Sequence, residues 1–289
     1  MELAEGKPQS KRVISVFVLA MLNVSIMASL RNLPLVAEFG YGAIFYFFLV
    51  AICFLIPCAL VSAELATGWP KSGGIYVWVR EAFGDSTGFF AIWMQWIHNV
   101  TWFPAILSFV AATIAYVFYP PLTEHPGFIL TVVLVLYWGM TFFNFFGIKI
   151  SSILSTVGVI IGTLIPGLFI IFLGFSWFFS PTPNQIQITP SAFFPNLTDS
   201  GNLVFLGGLF LAFAGLEVSA GYAGEVKNPQ KNYPKAILLG GLITFVLFMF
   251  GALSIALVIP KSQISLVTGL IAAFKIFLVN YHLDWLLPL

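Results

Sequence analysis

Residues 210–236 read FLAFAGLEVSAGYAGEVKNPQKNYPKA, an apolar run in which a carboxylate, Glu217, sits two residues after Gly215 and four before Gly221. An ionisable group inside hydrocarbon is expensive and marks a functional site by default. A glycine in mid-span weakens a helix by about 1 kcal/mol, because it loses the most backbone freedom on ordering. A helix interrupted here would leave N–H and C=O groups facing a cavity, where half-helix dipoles hold charged or zwitterionic solutes. The alternative is a close helix contact through small residues, with Glu217 bonded to a neighbouring hydroxyl.

The rest of the chain makes hydrocarbon its solvent. Of 289 residues, 60% are hydrophobic and 8% charged, with a mean hydropathy of +1.00, far from the composition of soluble domains. A helix needs about 20 apolar residues to cross roughly 30 Å of hydrocarbon. Apolar runs predict spans near residues 13–36, 42–65, 88–119, 127–146, 152–179, 203–222 and 236–259. Backbone groups in hydrocarbon must bond internally, so these are helices, and their length and lack of alternation exclude a β-barrel. The stretch SLVTGLIAAFKIFLV, with Lys275 inside it, is short for a crossing and suits a helix lying at the interface.

The N-terminus runs into its first span without a small-residue cleavage pattern, so no removable signal peptide is expected. Cys53 and Cys58 lie inside LVAICFLIPCAL and read as packing residues. A net charge of +1 carries no nucleic-acid footprint. The triplet at Asn196 is either a glycosylation sequon or a chance match. Cationic residues give the orientation. With a cytoplasmic N-terminus, the inner segments hold Lys7, Lys11, Arg12, Lys71, Arg80, Lys149, Lys227, Lys231 and Lys235, against Lys261 and Lys275 outside.

The first span contains NVSIMASLRNLP, in which Asn23, Ser25, Ser29, Arg31 and Asn32 interrupt the apolar run before Pro34. A polar break in one span and a glycine-linked break in another form the paired discontinuity of a repeat-built transporter. Arg31 either offers a bidentate fork to a substrate carboxylate or to Glu217, or snorkels to the headgroups. In the third span Gln95 and Asn99, four apart, share a face beside His98 and Trp102. They line a pathway or glue helices, and His98 is a proton carrier or a packing residue. Glu64 is an interfacial residue or a buried acid at the inner end of the second span. With no histidine cluster, nucleophile elbow or phosphate loop in the sequence, neither an enzyme, a metal site nor a cofactor is expected.

Two segments, ELATGWPKSGGIYVWVREAFG at 64–84 and AFAGLEVSAGYAGEVKNPQKNYPKAI at 212–237, resemble the amino acid-polyamine-organocation superfamily of permeases. FFPN before the sixth span and LSIALVIP closing the seventh look most like the glutamate/GABA antiporter branch. The resemblance implies a five-plus-five inverted-repeat fold within a twelve-span protein, of which this chain is the N-terminal part. Residues 1–12 are then a cytoplasmic tail, 13–179 the first five-helix repeat and 180–202 an extracytoplasmic loop. Residues 203–259 supply two helices of the second repeat, and 260–289 an interfacial helix with the start of an eighth span.

Carried over by position, the resemblance puts the first break at Ile26, Met27, Ala28, Ser29 and Leu30, with N–H groups receiving a substrate carboxylate. Carbonyls of Ile26, Leu211 and Ala214 receive the amino group, Phe213 lies near the solute and Asn99 reaches the site. Glu217 matches an acid tied to proton-coupled behaviour in some members. Two departures stand out. The glycines that usually bracket the serine are Ala28 and Leu30 here, and no lysine occurs between residues 152 and 179 of the fifth span. Arg31, an unusual residue there, suggests an anionic side chain on the substrate.

The expectation is a polytopic inner-membrane permease that exchanges amino acids, glutamate or GABA among them, by alternating access between the first and sixth helices. Its partners are its substrate and membrane lipid, and a homodimer is compatible with it. Burial favours the neutral form of a carboxylate, so protonation of Glu217 can be coupled to conformation. The rivals are proton-coupled symport and a truncated remnant or subunit that needs a second chain.

Overall fold

The computed structural model of the chain describes residues 12–71, 73–194, 200–266 and 268–286, and the regular structure among these is helical apart from one isolated β-bridge. The tail up to Lys11 and the triplet at Asn196 lie outside the described residues. Six helices are long and apolar enough to cross a membrane, and a seventh crossing is made by a bent pair. That pair is α1 (Val16–Met27) and, after a 3-10 turn at Leu30–Asn32, α2 (Leu33–Ala37), with a 40° bend between the halves. Ser15 starts α1 by accepting a hydrogen bond from the Val18 N–H, which satisfies one of the orphan donors of a first turn.

The second span joins α3 (Ala43–Val50) to α4 (Ile56–Gly68) through a π-helical segment at Ala51–Leu55. The fifth joins α8 (Ile148–Val159) to α9 (Ile165–Phe178) through another at Ile160–Leu164. Both segments are followed within two residues by a proline, Pro57 or Pro166. A proline lacks the N–H that would close the α-helical ring and its own ring crowds the carbonyl four residues earlier, so the helix widens locally.

Between these spans, α5 (Ile75–Phe83) is a short helix in the loop that leads into α6 (Asp85–Phe118), the third span, followed by α7 (Pro126–Asn144), the fourth. The outer loop carries one helical turn, α10 (Pro190–Phe193). The sixth span starts as α11 (Ser200–Ala212) and continues as a 3-10 helix, Leu216–Glu225. The seventh is α12 (Pro229–Val258), and α13 (Gly269–Asn280) is too short to cross.

Helix α12 is the axis of the bundle and packs against α1, α2, α4, α9 and α13. Small residues permit the approach, as in other membrane bundles. A Cβ at Gly240 would lie 2.7 Å from Cβ of Asn23 and 3.2 Å from the Ala20 carbonyl oxygen, and one at Gly251 would lie 2.9 Å from a methyl of Leu33. Helices α6 and α7 stand apart, packed mainly on each other and on their flanking segments. Their aromatic side chains, such as Trp96, Trp138 and Phe142, are exposed.

Candidate functional site

Both expected breaks are present, and they face each other. In the first span Ala28 (φ −81°, ψ 89°) and Ser29 (φ −103°, ψ 114°) leave the helical region. Two extended residues interrupt the hydrogen-bond ladder, so α1 ends and the next turn begins at the same depth. Both φ values are negative, which any L-residue adopts without strain. The break therefore forms with Ala28 and Leu30 in place of the family's glycines.

In the sixth span the helix stops at Ala212, and Gly215 takes φ 118° before the 3-10 half begins. That conformation needs glycine. So does the space, because a Cβ there would sit 2.7 Å from Cγ2 of Ile26 and 3.9 Å from Cγ of Met27. The turn of the sixth span is thus seated directly on the end of α1.

Glu217 is half-buried at this junction, and its carboxylate accepts a hydrogen bond from the Gly215 N–H at 3.1 Å. A negative group at a half-helix N-terminus meets both the orphan N–H and the positive end of the dipole. The next turn is held to α12 by Ser219, whose hydroxyl donates to the Leu216 carbonyl and shares a 2.8 Å hydrogen bond with the Tyr233 hydroxyl. Ser219 and Tyr233 are both fully buried.

Several of the residues expected at the site meet there and others do not. Ile26, Ala28, Ser29, Leu30, Ala214, Gly215 and Glu217 cluster around the two breaks. Phe213 is buried beside them, edge-on to Phe47 and Phe248. The Leu211 side chain is 67% exposed, and its carbonyl already accepts from the Ala214 N–H. The Arg31 guanidinium lies 5.5 Å from the ring centre of Phe109 in α6, and among the described residues no carboxylate pairs with it. Asn99 is half-exposed on α6, which meets the first span through Phe109 and packs mainly on α5 and α7. The described residues contain no group of three or more His, Cys, Asp or Glu side chains able to hold a metal ion.

Two features at the opposite end of these half-helices escaped the sequence. The Ile14 N–H donates to the Glu225 carbonyl and the Lys227 N–H donates to the Ile14 carbonyl, both at 3.0 Å. This one-residue bridge ties the start of the first span to the end of the sixth. Nearby, Gly74 (φ 48°) abuts the sixth span, so that a Cβ would meet the Gly221 nitrogen at 3.0 Å. The two segments that carry the family resemblance therefore touch. The Gly73-Gly74 pair was the available signal for that contact, whereas a lone bridge leaves no periodicity to read.

The family model described as Amino acid permease matches residues 14–287. Over 277 residues the chain is 45% identical to an uncharacterised transporter of Legionella pneumophila, covering 96% of this chain and 60% of that protein. It is 32% identical over 282 residues to the glutamate/gamma-aminobutyrate antiporter of Lactococcus lactis, covering 96% of this chain and 56% of the relative. Over 254 residues it is 28% identical to the cadaverine/lysine antiporter of Escherichia coli, covering 86% and 53%. The chain thus spans little more than half the length of these relatives.

Proposed function

The chain belongs to the amino acid permease family, and from that premise we propose that it exchanges amino acids across the membrane by alternating access around the two facing breaks. It is an integral membrane protein of a transporter family. The observation that carries the reading is the seating of the Gly215 turn on Ile26 and Met27, which sets the carbonyl end of α1 and the N–H end of the following turn beside the second break. Such opposed half-helix ends bind an ammonium and a carboxylate.

The similarity to the Lactococcus antiporter supports glutamate or GABA as cargo. In this reading Ile26, Ala28, Ser29 and Leu30 face the solute with Ala214 and Gly215, Phe213 closes the apolar side, and Arg31 selects an acidic side chain by leaving Phe109. The carbonyl of Leu211 takes the ammonium once Ala214 releases it, and Asn99 approaches in another state of the cycle. Glu217 is the proton-sensitive group, because neutralising its carboxylate weakens the capping of Gly215. The lysine and arginine distribution supports a cytoplasmic N-terminus in an inner membrane. The division at residues 179, 202 and 259, with α13 at the interface, follows the same repeat logic.

Counterflow in proteoliposomes tests the transport mode. An exchanger takes up labelled glutamate or GABA only into vesicles preloaded with an amino acid. Uptake into empty vesicles driven by a pH gradient would replace exchange with symport. A second reading, a membrane subunit completed by helices of another polypeptide, is favoured by α6, where His98 is exposed and Gln95 and Asn99 are half-exposed on a helix that packs mainly on α5 and α7. Counterflow by the purified chain alone would remove it.

A further inference from the structure

A cavity of about 380 Å³ opens where the turn after α2, the loop segment 185–187 and the end of α12 converge. Its floor is apolar, made by Ala37, Ala256 and Ile259, and its rim is polar, with Glu38, Lys261, Gln185 and Gln187. None of the residues at the two breaks lines it. The walls are fixed from three sides. The Gln185 N–H donates to the Leu257 carbonyl at 2.9 Å, Gly40 (φ 55°) lets the turn approach Ile186, and the Tyr41 ring packs on Phe193 at 5.7 Å.

The rim groups are chemically complementary to a small ligand rather than to one another. The Glu38 carboxylate and the Lys261 ammonium face one cavity, yet they form no ion pair, and among the described residues neither side chain nor those of Gln185 and Gln187 has a hydrogen-bond partner. A carboxylate and an ammonium that line one cavity without pairing match the ammonium and carboxylate of a zwitterion, and charge-assisted hydrogen bonds are the strong ones. The volume is in the range of about 300–1,000 Å³ typical of small-molecule sites.

We propose that this cavity is a second, peripheral site for a free amino acid, with Glu38 binding its ammonium and Lys261 its carboxylate. The identity of the ligand rests on the transport reading above; the charge pattern does not. A ligand held there would bridge the end of the first span to the end of α12, and so hold solute next to the elements that move.

A cysteine-protection experiment on the full chain in nanodiscs tests the site locally. Cys53 and Cys58 are replaced by alanine and Ala192, on the cavity wall, by cysteine, and the alkylation rate is followed with three four-carbon probes. GABA carries both charges, putrescine two ammonium groups and butyrate one carboxylate. GABA is expected to slow alkylation at least threefold while putrescine and butyrate do not, and Glu38→Gln or Lys261→Gln is expected to abolish the protection. Absence of protection by GABA, equal protection by all three probes, or protection that persists in both charge variants would overturn the proposal. Counterflow measured on the same preparations separates the two readings: protection without counterflow sinks only transport, and counterflow without protection sinks only the peripheral site.

Discussion

The Gly215 N–H donates to the carboxylate of Glu217 at 3.1 Å, so the acid in the sixth span caps the half-helix to which it belongs. Its closest hydrogen-bond obligation is local, two residues back along the chain, and a change in its charge acts first on that turn.

Glu217→Gln keeps the shape of the cap and removes its charge. A charged hydrogen bond is worth about 1 kcal/mol more than a neutral one. Exchange by the variant is expected to slow by roughly fivefold and its dependence on pH to flatten. Unchanged uptake and an unchanged pH profile would remove the acid from the coupling mechanism.

Gly215→Ala combines backbone strain at φ 118° with a clash against Ile26. The strain alone costs about 1–3 kcal/mol. Adding Ile26→Ala should recover the steric part and leave the strain, so the double variant is expected to melt between the wild type and Gly215→Ala. Full recovery would mean that the positive φ costs nothing.

Asn23 is fully buried against α12, and neither of its amide atoms has a hydrogen-bond partner among the described residues. An unpaired buried polar group costs about 1–3 kcal/mol, and an apolar group of the same shape removes that cost. Asn23→Leu is therefore expected to raise the thermal midpoint in nanodiscs. A fall would show that the amide has a partner in the membrane.

Ile14→Pro deletes the N–H that reaches the Glu225 carbonyl. Loss of the bridge should cost about 1 kcal/mol and speed hydrogen exchange at the Lys227 amide, with little change at Val218. Equal exchange in the two proteins would mean that the bridge does not hold the ends together.

The elements and both breaks were legible in the sequence because each is a local property. Apolar runs mark spans, and a glycine beside an acid or a run of small polar residues marks an interruption. What they bond to is tertiary and was less legible. Arg31 had three possible partners on paper and lies against Phe109, because α6 passes that end of the first span. Asn99 sits on the helical face that spacing assigned to it, but spacing says nothing about which helix that face meets. Pro57 and Pro166 were visible, whereas the widened turns before them depend on how the chain relieves the clash, by a π turn rather than a kink.

The lower half of the first span and the 3-10 half of the sixth touch at two places, the Ile14 bridge at one end and the Gly215–Ile26 seat at the other. Two bodies pinned at two points retain a single easy relative freedom, rotation about the line joining the pins, like a door on two hinges. Sliding or splaying requires one pin to be released first. In the proposed exchange cycle, the order in which the pins let go sets which side of the membrane sees the solute.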